Sequence, residues 1–238
     1  MRLLKDQQVL QIGRFLCLFA LLSSCILTKK TGSAAAHQHK IISIKSAREM
    51  PLDSWVNLKG TVTVAPGIFA SSMPNGYAIQ DDSGGIYVED GLARRRPKRG
   101  ELVTVSGWIK ASNGMLYIKQ IKVKKKGKGR QIVPLVLATS DVHTATEGRI
   151  LKTSGAIDSV QNDMPYGYKV YINDGSGTLM VFINTGTGIL NHLHQFKPKC
   201  TLSVTGLSAS YSGVSEIVPR ALEDISIRCT DKPHGTEK

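Results

Sequence analysis

The chain has 238 residues, which leaves room for one large domain or two small ones and excludes anything larger. Hydrophobic residues make up 41% of it, enough for packed cores, while 23 glycines and an aromatic share of 6% favour short strands over long helices. The net charge of +13 favours an acidic partner such as nucleic acid, anionic lipid or polyanionic glycan, although it also fits a merely soluble basic protein.

The first residues are typical of an export signal. Basic residues precede the apolar run FLCLFALL, residues 15–22, which is far below the roughly 20 residues of a membrane span. The following LSSC resembles the bacterial lipobox, in which the cysteine is lipidated after cleavage. We therefore predict a signal peptide over residues 1–24, a lipid anchor on Cys25 and a membrane-anchored lipoprotein of the bacterial cell envelope. Cleavage near Ala36, which yields a periplasmic or secreted protein, is the alternative.

A pattern of strands and turns occurs twice in the rest of the chain. GYAIQDDSGGIYVED begins at Gly76 and GYKVYINDGSGTLMVFIN begins at Gly167, each with two strands around a turn of Asp or Asn with Gly. Five strands with a longer third link, over roughly 90 residues, suit a small Greek-key barrel. We predict an all-β protein with a flexible tether (25–48), a first barrel (49–126), a basic connector (127–145), a second barrel (146–229) and a disordered tail (230–238).

Several stretches carry a resemblance to a known family. GYAIQDDSGGIYVE with GELVTVSGWI and NGMLYI, and EGRILKTSGAI with LSVTGLSASYSGVSEI, resemble the bacterial OB-fold domains found in exported proteins and beside extracellular nucleases. The resemblance covers residues 50–125 and 145–228. It implies two tandem five-stranded Greek-key OB-fold barrels that bind ligands across strands two and three and the adjoining loops. It implies no particular ligand, because this fold accommodates many.

Strand alternation indicates which side chains face outward from the predicted barrels. In the second copy this places an apolar set on paired strands, a platform of the kind on which bases stack, with basic residues nearby for phosphates. In the first copy one aromatic residue faces out. The predicted face consists of Tyr87, Arg149, Lys152, Lys169, Tyr171, Met180 and Phe182. The competing interpretation is that this face packs against the first barrel.

A second basic feature is the segment ARRRPKR, residues 93–99. Arginine forks suit phosphate oxygens, so this segment is a candidate nucleic-acid contact together with the basic run at 122–130. A solvated charged loop is the plainer interpretation, and contact with anionic lipid beside an anchored Cys25 is a third. The candidate phosphate ligands are Arg94, Arg95, Arg96, Lys98 and Arg99.

Residues that suggest catalysis have simpler explanations. Asp81, Asp82 and Asp174 occupy hairpin turns, where turn chemistry accounts for them. His192 and His194 lack the further ligands that a metal requires. The sequence has no nucleophile elbow, phosphate loop or paired catalytic carboxylates. We therefore predict a protein that is not an enzyme and has neither a metal nor a cofactor.

Two cysteines remain after the predicted signal peptide and anchor. Cys200 opens strand four of the second copy and Cys229 closes strand five, and a hairpin folded near Gly213 brings both ends to the same side. Disulfides persist in exported proteins. We therefore predict a bond between these two residues, with two separate buried thiols as the alternative.

Together these features predict an exported protein that binds without catalysis. The preferred ligand is single-stranded or irregular nucleic acid, held by basic loops and the outward face of strands two and three. One alternative is a cell-envelope scaffold whose strand two–three face contacts another protein. The other is an accessory module to a separate extracellular enzyme.

Overall fold

The computed structural model describes residues 40–73, 76–90 and 96–229. Within these ranges no helix has the length and apolar content needed to cross a membrane. The predicted signal peptide, the Cys25 anchor, Arg94, Arg95 and the tail at 230–238 lie outside the described residues.

The first sheet closes on itself. Its strand order is β1-β2-β3-β4-β6-β5, and β2 also pairs with β5, so five strands form a ring of pairings. The elements are β1 (Ile41–Ile42), α1 (Ile44–Arg48), β2 (Trp55–Val64), β3 (Gly76–Gln80), β4 (Gly85–Glu89), β5 (Glu101–Ser112) and β6 (Met115–Lys128).

The second sheet repeats this connectivity. Its order is β13-β11-β12-β10-β9-β8-β7, with β11 also paired to β8, so the ring is β8-β9-β10-β12-β11. Both halves thus have the Greek-key strand order expected of an OB fold, and the predicted all-β class is confirmed. The strands are β7 (Leu135–Val136), β8 (Ile150–Asp163), β9 (Gly167–Asn173), β10 (Thr178–Asn184), β11 (Thr201–Tyr211), β12 (Val214–Val218) and β13 (Ile225–Arg228). Short 3-10 helices lie at Thr139–Asp141, Thr144–Thr146, Thr185–Thr187, Ile189–Gln195 and Leu222–Asp224.

The predicted flexible tether is wrong for its last residues, because β1 and α1 belong to the first barrel. Ile44 and Ala47, three positions apart on one helix face, are fully buried in the barrel core. The side chain of Ser43 caps the helix, and the Ile44 amide donates to Asp81 at 2.9 Å. These tertiary contacts hold a helix of only five residues that could not persist alone.

The Cys200–Cys229 disulfide is present. It lies next to the first pair of the β11–β13 ladder, Thr201 with Arg228. Strand five is not one continuous strand: it is interrupted after Val218 by a 3-10 turn and resumes as β13. The interruption carries a buried ion pair, in which the Arg220 guanidinium donates to Asp224 at 2.6 and 2.7 Å.

A third apolar cluster joins the barrels. Besides one core inside each barrel, nine buried residues from both halves pack together. They are Val64, Phe69, Ala78 and Tyr87 from the first barrel and Ile150, Phe182, Leu207, Ala209 and Val218 from the second. Polar contacts border the cluster. The Ile150 amide donates to Gln80 at 2.9 Å, and the Arg48 guanidinium donates to Glu147 at 2.9 Å. The barrels therefore share a specific interface.

Candidate nucleic-acid interface

The predicted stacking platform on strands two and three is not open. Tyr87, Met180 and Phe182 are only 5–7% exposed. Tyr87 and Phe182 belong to the cluster between the barrels, and the Tyr87 hydroxyl donates to the Met73 carbonyl at 2.7 Å. The prediction of a free apolar face is thus wrong, and the competing interpretation holds. Tyr87 of the first barrel and Phe182 of the second pack together in this cluster, which removes both from water.

The basic residues predicted around that platform do not form one site. The Lys169 ammonium donates to Asp163 at 2.9 Å, a hydrogen bond that raises the pKa of the lysine. The half-buried Arg149 donates to the Asp82 carbonyl at 3.2 Å, at the hairpin turn of the first barrel. Lys152 is exposed on β8, and Tyr171 is half-buried beside Met180. These side chains face different surroundings.

The basic loop is accessible where the structure describes it. Arg96, Lys98 and Arg99 are exposed. The Arg99 guanidinium lies 3.7 Å from the exposed carboxylate of Glu223, a pair of little strength in water. The loop leads into β5, and the Gly100 amide donates to Val62 on β2 at 2.8 Å. Its cations therefore lie at one end of the β2–β5 pair.

A surface that the sequence prediction missed lies on the outside of β2, β5 and β6. Cross-strand register places three rows side by side, and the side chains of each row point away from the core. We name this surface the Trp–Lys face. Its rows are Trp55–Trp108–Lys119, Asn57–Ser106–Lys122 and Lys59–Thr104–Lys124.

Two tryptophans form the aromatic part of the Trp–Lys face. The rings of Trp55 and Trp108 meet edge to face, with centroids 5.0 Å apart and an interplanar angle of 79°. Trp108 is 40% exposed, so part of its ring is open to a ligand. Tyr117, half-buried on β6, packs instead against the cluster between the barrels. The aromatic part of the face therefore consists of the two indole rings on β2 and β5.

Four lysines supply the charge of the Trp–Lys face. Lys59, Lys119, Lys122 and Lys124 are exposed, and among the described residues none of them makes an ion pair. Acidic residues of the described part of the chain lie at its borders. Asp53 pairs with Lys110 at one border, and Glu89 on β4 lies beside Lys119 at the other. The interior of the face is therefore a cationic surface next to an exposed indole ring.

The alternation of outward and buried residues along β2 and β5 is a sequence pattern that indicates this face. Trp55, Asn57 and Lys59 alternate with buried residues on β2, as Thr104, Ser106 and Trp108 do on β5. Ligands of OB folds are expected across strands two and three, whereas this face lies on strands one, four and five. Strand β6 runs to Lys128, two residues into the predicted connector (127–145), so Lys128 belongs to the first barrel together with the lysines at 122–126.

No family model and no curated protein matches this chain. Solved structures resemble parts of it. The hypothetical protein ygiW from E. coli is 20% identical over 37% of this chain and 90% of its own, with a TM-score of 0.30. An OBody, solved bound to hen egg-white lysozyme, is 17% identical over 38% of this chain and 92% of its own, with a TM-score of 0.34. Asparaginyl-tRNA synthetase from Pyrococcus horikoshii is 13% identical over 41% of this chain and 23% of its own, with a TM-score of 0.33. These likenesses are too distant to assign a function.

Proposed function

We propose that this protein is a non-catalytic binding protein for single-stranded nucleic acid, which it holds on the Trp–Lys face of the first barrel. The observation that carries the proposal is the exposed Trp108 ring beside four exposed lysines that form no ion pair with any residue that the structure describes. Indole rings stack on any base, and lysines meet phosphates as mobile point charges. Such a surface binds strands with little sequence preference.

The basic loop extends the path of the strand. The rows follow one another along β2 from Trp55 to Lys59, and the next residues in this direction are Thr61 and its partner Leu102 on β5. Leu102 lies at the start of β5, directly after the basic loop. Arg96, Lys98 and Arg99 lie beyond this end, so a strand stacked on Trp108 continues over Lys59 and Lys124 to the loop. The proposal thus retains the predicted loop contacts and replaces the platform on the second barrel.

Binding of fluorescently labelled single-stranded DNA at several salt concentrations tests the proposal. Trp108→Ala removes one stacking partner and should weaken binding about 5- to 150-fold, the equivalent of about 1–3 kcal/mol, without changing the salt slope. Lys122→Gln with Lys124→Gln should lower the slope by about 0.7 for each phosphate that a lysine no longer neutralises. Lys152→Gln, an exposed lysine on the second barrel, is the matched control and should change neither quantity.

Two results would overturn the proposal. One is the absence of binding even at low salt. The other is binding that Trp108→Ala leaves as tight as in the parent protein. The alternative scaffold function is less favoured, because Met180 and Phe182, proposed as its contact surface, are buried.

We propose from the sequence alone that the protein is exported and anchored through Cys25. A lipidated cysteine at the start of the mature chain adds the mass of its acyl groups. Mass spectrometry of the protein from its native membrane should detect that mass, whereas a mature chain that begins near Ala36 would refute the anchor.

A further inference from the structure

A groove lies between the two barrels, away from the interior of the Trp–Lys face. It consists of two adjoining cavities of about 200 and 310 Å³. Ser72, Asn113, Tyr211 and Glu216 line both of them. We call this feature the inter-barrel groove. Because its walls come from both barrels, it exists only while they are docked.

The inter-barrel groove is acidic in a strongly basic protein. Among the residues that the structure describes, its walls carry the carboxyl groups of Glu89, Asp163 and Glu216 and one ammonium group, that of Lys169. Lys169 already donates to Asp163 at 2.9 Å. Lys169 also attracts Glu216, so three carboxyl groups share one ammonium group and the groove as a whole would repel a phosphate.

Two polar groups that line the groove have no hydrogen-bond partner within the described residues. Glu216, 6% exposed, stands between Met180 and Ala209 on neighbouring strands, and its carboxyl group makes no hydrogen bond there. The Ser210 hydroxyl is buried and also without a partner. A buried polar group is costly unless something bonds to it, and the Ser210 hydroxyl is such a group. The Glu216 carboxyl group lines the same groove as a free acceptor, so the two together point to a bound donor.

Part of the groove wall is aromatic. Tyr166 and Tyr211 are 52% and 57% exposed, and the smaller cavity is also bordered by Tyr87 and Tyr117. The face of a phenol ring attracts an organic cation by its quadrupole, and more strongly when water is excluded. Tyrosine rings beside an excess of carboxyl groups are therefore suited to a positively charged organic group.

We propose that the inter-barrel groove binds an organic cation, an alkylammonium or guanidinium group, which donates to the Glu216 carboxylate and lies against the rings of Tyr166 and Tyr211. The larger cavity, about 310 Å³, suits a slender cation rather than a folded partner. This group is carried either by a free polyamine or by a lysine or arginine side chain of a peptide.

Calorimetric titration of the full chain with spermidine and, separately, with a capped tetralysine peptide distinguishes the two sources. Glu216→Gln removes the acceptor charge and should weaken binding about 30-fold or more. Tyr211→Ala, a change at an exposed side chain, should weaken it without affecting the fold. Glu223→Gln, at an exposed glutamate outside the groove, is the matched control and should leave binding unchanged.

The affinity should also depend on pH. Burial raises the pKa of Glu216 to about 7, while the nearby Lys169 lowers it and Asp163 raises it. Glu89 and Tyr117 border the groove from the first barrel and Tyr211 from the β11–β12 hairpin. Binding of a cation should therefore be tighter at pH 8 than at pH 6, and Glu216→Gln should abolish that difference.

The outcomes are distinct. Binding of spermidine alone identifies a free polyamine, and binding of the peptide alone identifies a basic side chain. Heat from neither probe, or equal affinity of the parent protein and Glu216→Gln, overturns the proposal. If the groove binds neither probe, the proposed nucleic-acid binding on the Trp–Lys face is unaffected, because it is tested separately with an anionic ligand.

Discussion

Replacing Phe182 by alanine tests whether the outward face of β10 joins the barrels. Phe182 is 5% exposed and packs in the cluster that includes Tyr87, Leu207 and Val218. Truncating a buried phenylalanine costs about 3–5 kcal/mol, from reduced burial and the cavity left behind. Against a total stability of about 5–15 kcal/mol, this is a large fraction. With a urea m-value of about 2 kcal/mol/M, the unfolding midpoint should fall by about 1.5–2.5 M.

The matched variant is Trp108→Ala, which truncates an aromatic side chain that is 40% exposed. It should cost far less stability and should reduce DNA affinity instead. Urea unfolding followed by circular dichroism measures the first quantity, and DNA titration measures the second. The reasoning fails if Phe182→Ala unfolds at the same urea concentration as the parent protein yet loses DNA binding. That result would make Phe182 part of an open binding platform.

Three further predictions concern stability. Reducing the Cys200–Cys229 bond, with a sequence separation of 29, should lower the free energy of unfolding by about 3–4 kcal/mol; urea curves that coincide with and without reductant would contradict this. Burial raises the pKa of Glu216 from 4.5 to about 7, so the folded state holds its proton more tightly than the unfolded chain. Stability should then decline as the pH rises from 5 to 7, and Glu216→Gln should flatten a plot of Tm against pH; parallel plots would refute it. Asp224→Asn leaves the buried Arg220 guanidinium without its counter-charge and should cost about 3–5 kcal/mol in calorimetric unfolding, whereas a loss below about 1 kcal/mol would show the pair to be dispensable.

Much of the fold could be predicted from local patterns. Hairpin turns rich in Asp, Asn and Gly, and the alternation around them, indicated two copies of one strand order. The same alternation placed Lys169 and Phe182, and Tyr171 and Met180, on a shared outer face, and their cross-strand pairing agrees. The disulfide followed from the same strand geometry.

The binding surfaces could not be predicted in the same way. Alternation tells which face of a strand a residue occupies, but not whether another barrel covers that face. Covering Phe182 depends on contacts between distant parts of the chain, such as the Gln80 side chain with the Ile150 amide. An added methyl group at Gly148 would overlap the Gly85 carbonyl, so the barrels also meet backbone to backbone.

The Trp–Lys face could not be predicted either, because it depends on pairing between strands that are distant in sequence. Its rows join β2 to β5 and β5 to β6, and the register shifts between Ser106 and Gly107. Trp55 and Trp108 are 53 positions apart in sequence and become neighbours only when the barrel closes. The two tryptophans form a site because the closed barrel places them on adjacent strands, which the composition of neither segment indicates.

Tryptophan fluorescence tests the central claim most directly. The chain has two tryptophans, Trp55 and Trp108, and both lie on the Trp–Lys face. Titration with unlabelled oligothymidylate should therefore quench the tryptophan emission, because a base stacks on Trp108. The affinity obtained from this quenching should equal the affinity obtained from the anisotropy of a labelled strand. Binding by anisotropy with unchanged tryptophan emission would place the nucleic acid elsewhere and contradict the assignment.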